Sequence, residues 1–144
     1  MNLLNKFIGK FLNLSRIIKR LFSKKIHFNG NSFNLRANNW ITKYRFDTFK
    51  EKEPETLEWI DDNLKINDVF FDVGANVGIY SLYSASKNIL NTNIYSFEPE
   101  YSNLNELKFN VINNKFSDKI NLFSIAFGEK DHVSFLKVND VTPG

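Results

Sequence analysis

The chain has 144 residues, 42% of them hydrophobic and 24% charged, and it contains no cysteine. That size suits one domain with a real core, that composition excludes global disorder, and the missing thiols exclude disulfide scaffolds, thiolate catalysis and zinc-finger or iron–sulfur sites. The net charge of +3 hides an asymmetry: residues 1–25 hold seven Lys or Arg and no acid, while the other 119 residues hold 12 basic and 16 acidic residues. A nucleic-acid-binding body more often carries its own basic patch, so no nucleic-acid partner is expected.

Leu4, Phe7, Ile8, Phe11, Leu12, Ile18, Leu21 and Phe22 recur at spacings of three and four, which predicts an amphipathic helix within residues 1–25. Lys6, Arg16 and Arg20 fall mainly on its other side. The charge-free stretches are too short for a signal-peptide core or a membrane span. Two readings stay open for this segment: an interfacial helix on an anionic membrane, or a helix packed on protein. The expected location is the cytoplasm, with peripheral membrane contact under the first reading.

Residues 26–65 precede the main unit. Ile26–Phe28 and Ser32–Leu35 flank Asn29-Gly30-Asn31, a hairpin signal, and Trp40–Lys43 reads as a third short strand. Phe46–Leu64 reads as one helix with Pro54 near a first turn and Leu57, Trp59, Ile60 and Leu64 as its apolar stripe. Trp40 and Trp59 are expected in the core, and His27 on the hairpin surface.

The pattern changes over residues 66–144. Val69–Val73 is a short apolar strand, Gly74–Gly78 a loop, and Val77–Lys87 a helix; Ile94–Phe97, a helix over Ser102–Asn113 and the strand Ile120–Phe127 follow. Gly128–His132 is a turn before a fourth strand, Val133–Val138, antiparallel to the third. The fold class is therefore α/β: a Rossmann-like partial parallel sheet with flanking helices and a carboxy-terminal antiparallel hairpin. Ligands of such sheets sit beyond the carboxyl ends of the strands.

Two sites fall there. Asp72 ends an apolar strand and leads into Gly74-Ala75-Asn76-Val77-Gly78, where two glycines let the chain turn and let a ligand approach the backbone. Asp72 serves either a ligand's ammonium or hydroxyl group, or a local helix cap. Glu98 ends the next strand, where a carboxylate accepts hydrogen bonds from both hydroxyls of a ribose. A dinucleotide loop wants G-x-G-x-x-G, but Asn76 stands where its second glycine belongs, and no G-x-x-x-x-G-K-[ST] exists. A cationic ligand with an amino-acid end and a ribose, such as S-adenosylmethionine, fits better. Asp131 and His132 read as solvated turn residues, and two distant histidines without cysteine make no metal site.

The run Phe71–Tyr80, then Phe97-Glu98-Pro99, then Asn103, Leu107, Asn110 and Asn114, resembles the FkbM-type family of S-adenosylmethionine-dependent methyltransferases over residues 66–138. The resemblance implies a methyltransferase that methylates oxygen on a sugar or another small molecule. It implies that Asp72, Gly74, Asn76 and Gly78 line the methionine side of the cofactor, that Glu98 holds the ribose, and that Ala126 lies near the adenine. The family's later Asp-x-Glu-Gly motif is absent here. The chain therefore looks like the amino-terminal, cofactor-holding half of the enzyme, with an open sheet edge that invites self-association. The alternatives are a non-catalytic cofactor-binding or membrane-surface module and a nicotinamide-dependent enzyme.

Overall fold

The computed structural model describes residues 8, 14, 21–130, 135–138 and 142–144. Most of the expected amino-terminal helix, and both Asp131 and His132, lie outside the described residues. The elements in chain order are β1 (Ser23–Phe28), β2 (Asn31–Arg36), α1 (Trp40–Asp47), α2 (Pro54–Asn63), β3 (Val69–Val73), α3 (Ile79–Ser86), β4 (Asn93–Phe97), α4 (Tyr101–Asn114) and β5 (Ile120–Phe123).

β1 and β2 form an antiparallel hairpin in which Phe28 pairs with Asn31. Its two turn residues, Asn29 and Gly30, have φ of 44° and 76°, the left-handed pair that matches the twist of the flanking strands. β3, β4 and β5 form a parallel sheet in that order, with Asp72 beside Ser96 and Ile94 beside Ile120. The core lies between hairpin and sheet. Phe33 and Leu35 come from the hairpin, Leu82 and Tyr83 from α3, Leu107 and Val111 from α4, and Phe70, Ile94 and Ile120 from the sheet. The Tyr83 ring is fully buried and meets Phe28 and Phe49 edge-on at 5.5 and 5.9 Å. Residues 26–65 thus share one core with the βαβαβ unit.

Several expectations change. Trp40–Lys43 is not a strand but the first turn of α1. Asn39 caps it: its side chain accepts from the Thr42 N–H at 2.8 Å, and its own N–H donates to Thr42 Oγ1 at 3.2 Å. This reciprocal cap outweighs the strand preference of the Trp-Ile-Thr run. The single helix expected over Phe46–Leu64 is two helices, because α1 ends at Asp47 and α2 starts at Pro54. Proline supplies no N–H to a continuing helix and restricts the residue before it. Neither tryptophan lies in the core. Trp40 is 74% and Trp59 55% exposed, and α2 buries Leu57 and Ile60 instead.

Each strand of a sheet faces two ways. Phe70 and Asp72 point into the helix-covered side, while Val69, Phe71 and Val73 are exposed on the other. There Phe71 stacks on Tyr95 and Phe97, and both of those stack in turn on Phe123. Among the described residues, helices cover one face of the sheet, not both. β5 ends at Phe123 rather than residue 127, and residues 135–138 of the expected fourth strand have no regular structure; residues 133 and 134 lie outside the described residues. The antiparallel hairpin that the structure contains is β1–β2.

Candidate functional site

The sheet places β3 and β4 side by side and parallel, so their carboxyl ends are neighbours. The loop 74–78 folds over the end of β4: the Gly74 and Ala75 N–H groups both donate to the Phe97 carbonyl, at 2.9 and 3.0 Å. The Asn76 N–H donates to Glu98 Oε2 at 2.8 Å, and the Glu100 N–H donates to Glu98 Oε1 at 2.9 Å. The two sites read separately from the sequence are therefore joined directly. Glu98 is buried, at 5% exposure, and backbone donors to both its oxygens fix its orientation.

The remaining loop donors are also used. Val77 N–H donates to Asn76 Oδ1 at 2.8 Å, and Gly78 N–H to the Ala75 carbonyl at 2.8 Å. All five N–H groups from Gly74 to Gly78 are bonded within the protein. A diphosphate is held by free backbone donors at such a loop, and this loop offers none. That observation weighs against a dinucleotide.

The two glycines differ. Gly74, at φ +78°, has nothing within 4 Å of the position its Cβ would take, so it leaves open space over the loop. Gly78, at φ +91°, would put a Cβ 2.1 Å from Leu107 Cδ1. Its glycine is required by the packing of α4, and that was not visible in sequence. Asn76 adopts φ of 52°, a left-handed conformation that Asn tolerates.

Asp72 is buried and serves α3. Its Oδ2 accepts from the Ser81 N–H at 3.0 Å and from the Ser81 hydroxyl, which also meets the Ser96 hydroxyl at 2.6 Å. Burial pushes the Asp72 carboxyl above its ordinary range, against the Ser81 bonds, with Glu98 and Glu53 adding like-charge repulsion. The same residue lines a cavity of about 570 Å³ together with Gly74 and Asn76. Both readings of Asp72 are thus compatible with its place: it holds the helix and borders the cavity.

The sequence reading missed the opposite wall of that cavity, which carries Arg45, Lys52, Glu53 and Tyr80. The Tyr80 hydroxyl donates to Glu53 Oε2 at 2.8 Å. Burial, then the Glu53 carboxylate, raise the Tyr80 phenol well above its ordinary value. The available signal was Pro54, which as a first helical residue puts Glu53 at a cap position. Asn110 was also undervalued: its amide donates to the Val77 carbonyl at 3.0 Å and its oxygen accepts from the Arg36 N–H at 3.1 Å, tying the loop to β2. Ala126 is exposed three residues beyond β5, and neither it nor Gly78 nor Glu98 is among the residues lining the cavity; Glu98 lies behind the loop, joined to it through the Asn76 N–H.

No family model matches the chain, and no curated protein does. Solved structures do. The complex of aTrm5 with tRNALeu matches at 22% identity and a TM-score of 0.51, over 76% of this chain and 30% of that one. An S-adenosylmethionine-dependent methyltransferase from Agrobacterium tumefaciens matches at 13% identity and a TM-score of 0.49, over 72% of this chain and 32% of that one. The fold is of the Rossmann-like type found in S-adenosylmethionine-dependent methyltransferases. The chain spans about a third of the length of these neighbours.

The comparison corrects one expectation. A protein of this fold is solved in complex with tRNA, so the charge balance does not exclude a nucleic-acid partner. Net charge sums over the whole body, whereas phosphate contacts need only local cations. Among the described residues, no helix is long and apolar enough to cross a membrane.

Proposed function

We propose that this chain is the cofactor-binding part of an S-adenosylmethionine-dependent methyltransferase of the FkbM type. The observation that carries the reading is the bond from the Asn76 N–H to the buried Glu98 carboxylate, which welds the glycine loop to an acid at the neighbouring strand end. The donor set favours this ligand. Glu98 offers acceptors and no donor for a phosphate, Gly74 leaves the backbone approachable, Asp72 borders the cavity, and the loop has no free N–H.

The bound cofactor supplies a methyl group on a positively charged sulfur. The protein's task is to hold it in line with a nucleophile, because alignment is the main requirement of a direct displacement. In this reading Glu98 accepts the ribose hydroxyls, since each of its oxygens keeps a lone pair beyond the one bonded to the backbone. Gly74 and Asn76 pass under the ligand, Asp72 faces its cationic end, and Gly78 keeps α4 against the loop. Ala126 is left beside the adenine only if the segment after β5 folds over it.

The sequence resemblance favours an oxygen nucleophile on a sugar or another small molecule. The tRNA complex of a protein with this fold favours RNA as a second reading of the acceptor. Transfer of label from S-[methyl-³H]adenosylmethionine to a panel of glycans and to bulk tRNA decides between them. Label in a base-stable glycan ether supports the first reading, and label in RNA replaces it with the second.

A further inference from the structure

The β1–β2 turn carries reactive groups that the cofactor site does not use. Asn29-Gly30 is the one Asn-Gly pair in the chain. Both residues are exposed, and nothing lies within 4 Å of the position a Gly30 Cβ would take. The Gly30 backbone nitrogen therefore stands next to the Asn29 side chain with no Cβ to screen it. The Asn29 amide also ties the hairpin to the body: its Nδ2 donates to Asp61 Oδ2 at 2.6 Å. The other oxygen of Asp61 accepts from the Tyr83 hydroxyl at 2.6 Å and from the Lys87 ammonium. One carboxylate in the last turn of α2 thus joins the hairpin turn to α2 and α3.

We propose that Asn29 is a deamidation site gated by Asp61, and that its product frees the hairpin turn from α2. The Gly30 nitrogen gives up its proton and attacks Asn29 Cγ. The Cγ–Nδ2 bond breaks, Nδ2 leaves as ammonia carrying that proton, and a cyclic succinimide remains. Water then adds to one of the two imide carbonyls and breaks one carbon–nitrogen bond, giving aspartate or isoaspartate. Water is the sole co-reactant. Asp61 opposes the first step, because the amide must leave it before Cγ closes on the Gly30 nitrogen. The finished product reverses the contact. An ionised carboxylate only accepts, so an acceptor replaces the donor that Asp61 held, and two like charges meet. Tyr83 and Lys87 stay on Asp61, so α2 and α3 remain joined while the turn is released. The inference is independent of the methyltransferase reading.

The test is incubation of the folded chain at physiological temperature, followed by tryptic mapping with fragmentation that separates aspartate from isoaspartate. Cleavage after Lys25 and Arg36 puts Asn29, Asn31 and Asn34 on one peptide, so the last two are internal controls. Both products accumulate at Asn29 and neither at Asn31 or Asn34. Asp61→Asn, shown to be folded by circular dichroism, speeds the conversion about two-fold or more, because a neutral acceptor holds the amide about half as strongly as a charged one. Asn29→Asp, the modified turn made directly, lowers the urea midpoint. Combining it with Asp61→Asn gives a smaller loss than the sum of the single changes, since a donor and an acceptor again face each other. No conversion at Asn29 in the folded chain, over a period in which the urea-denatured chain converts there, overturns the site. An unchanged rate in folded Asp61→Asn overturns the gating. An unshifted midpoint for Asn29→Asp, or strict additivity of the pair, overturns the release, and the Asn29→Asp midpoint decides this even if Asp61→Asn does not fold.

Discussion

Exchange of the two loop glycines separates packing from ligand approach. Gly78→Ala must place a Cβ 2.1 Å from Leu107 Cδ1 at φ +91°, and Leu107 is fully buried. The left-handed backbone costs an L-residue about 1–2 kcal/mol, and overpacking a core costs about 1–3 kcal/mol. The sum, about 2–5 kcal/mol, is a large share of the stability of a domain this size. Gly74→Ala incurs only the backbone cost of about 1–2 kcal/mol, since its Cβ meets nothing. Urea unfolding followed by circular dichroism resolves the two. With slopes of about 1–3 kcal/mol per molar urea, a loss of 3 kcal/mol lowers the midpoint by about 1–3 M. Adding Leu107→Ala to Gly78→Ala relieves the clash, so the pair destabilises less than the sum of the single changes by about 1 kcal/mol or more. The ligand response runs the other way: Gly74→Ala, with its methyl in the open space over the loop, loses S-adenosylhomocysteine binding. Equal midpoints for the two alanine variants, or strict additivity of the double variant, would refute the reasoning.

Three further outcomes follow from the same contacts. Asn110→Ala strands the Val77 carbonyl and the Arg36 N–H inside the protein, and thermal unfolding should show a loss of about 2–6 kcal/mol at roughly 1–3 kcal/mol for each stranded group; a loss below 1 kcal/mol contradicts the bonding. Asp72 has a raised folded pKa, so the native state holds its proton more tightly than the unfolded chain. Stability therefore falls as pH rises from the ordinary aspartate value through the raised one, and Asp72→Asn removes that part of the slope in a pH series of urea midpoints. Asp61 has the opposite sign. Burial raises its pKa, but bonds from Lys87, Tyr83 and Asn29 outweigh that and hold it below the usual aspartate value. Its contribution is present at neutral pH and is lost on acidification through that lowered value, and Asp61→Asn should flatten the acid limb of the stability curve.

The β3–α3–β4–α4–β5 order was legible because short apolar runs alternate with helical stripes and each joint carries a turn residue. The hairpin was legible from Asn29-Gly30. The segment from Trp40 to Leu64 was misread, since hydrophobic spacing counts apolar residues and not the caps that decide where a helix begins. Asn39 with Thr42, and Pro54, carried that information in polar and breaker residues. At the site, Asp72, Gly74, Asn76 and Glu98 were legible because strand ends in a parallel sheet converge. Gly78 was found for another reason than its packing against Leu107, a contact 29 residues away. Arg45 and Glu53 were invisible because only tertiary folding brings the α1–α2 turn to the cavity beside the glycine loop, and Tyr80 was read only as the end of the Phe71–Tyr80 run.

Calorimetric titration of S-adenosylhomocysteine and of NAD against the wild-type chain and Glu98→Ala tests the central claim most directly. The account predicts binding of S-adenosylhomocysteine alone, weakened about ten-fold or more when the two carboxylate acceptors of Glu98 are removed. Binding of NAD, or S-adenosylhomocysteine affinity untouched by Glu98→Ala, would contradict it.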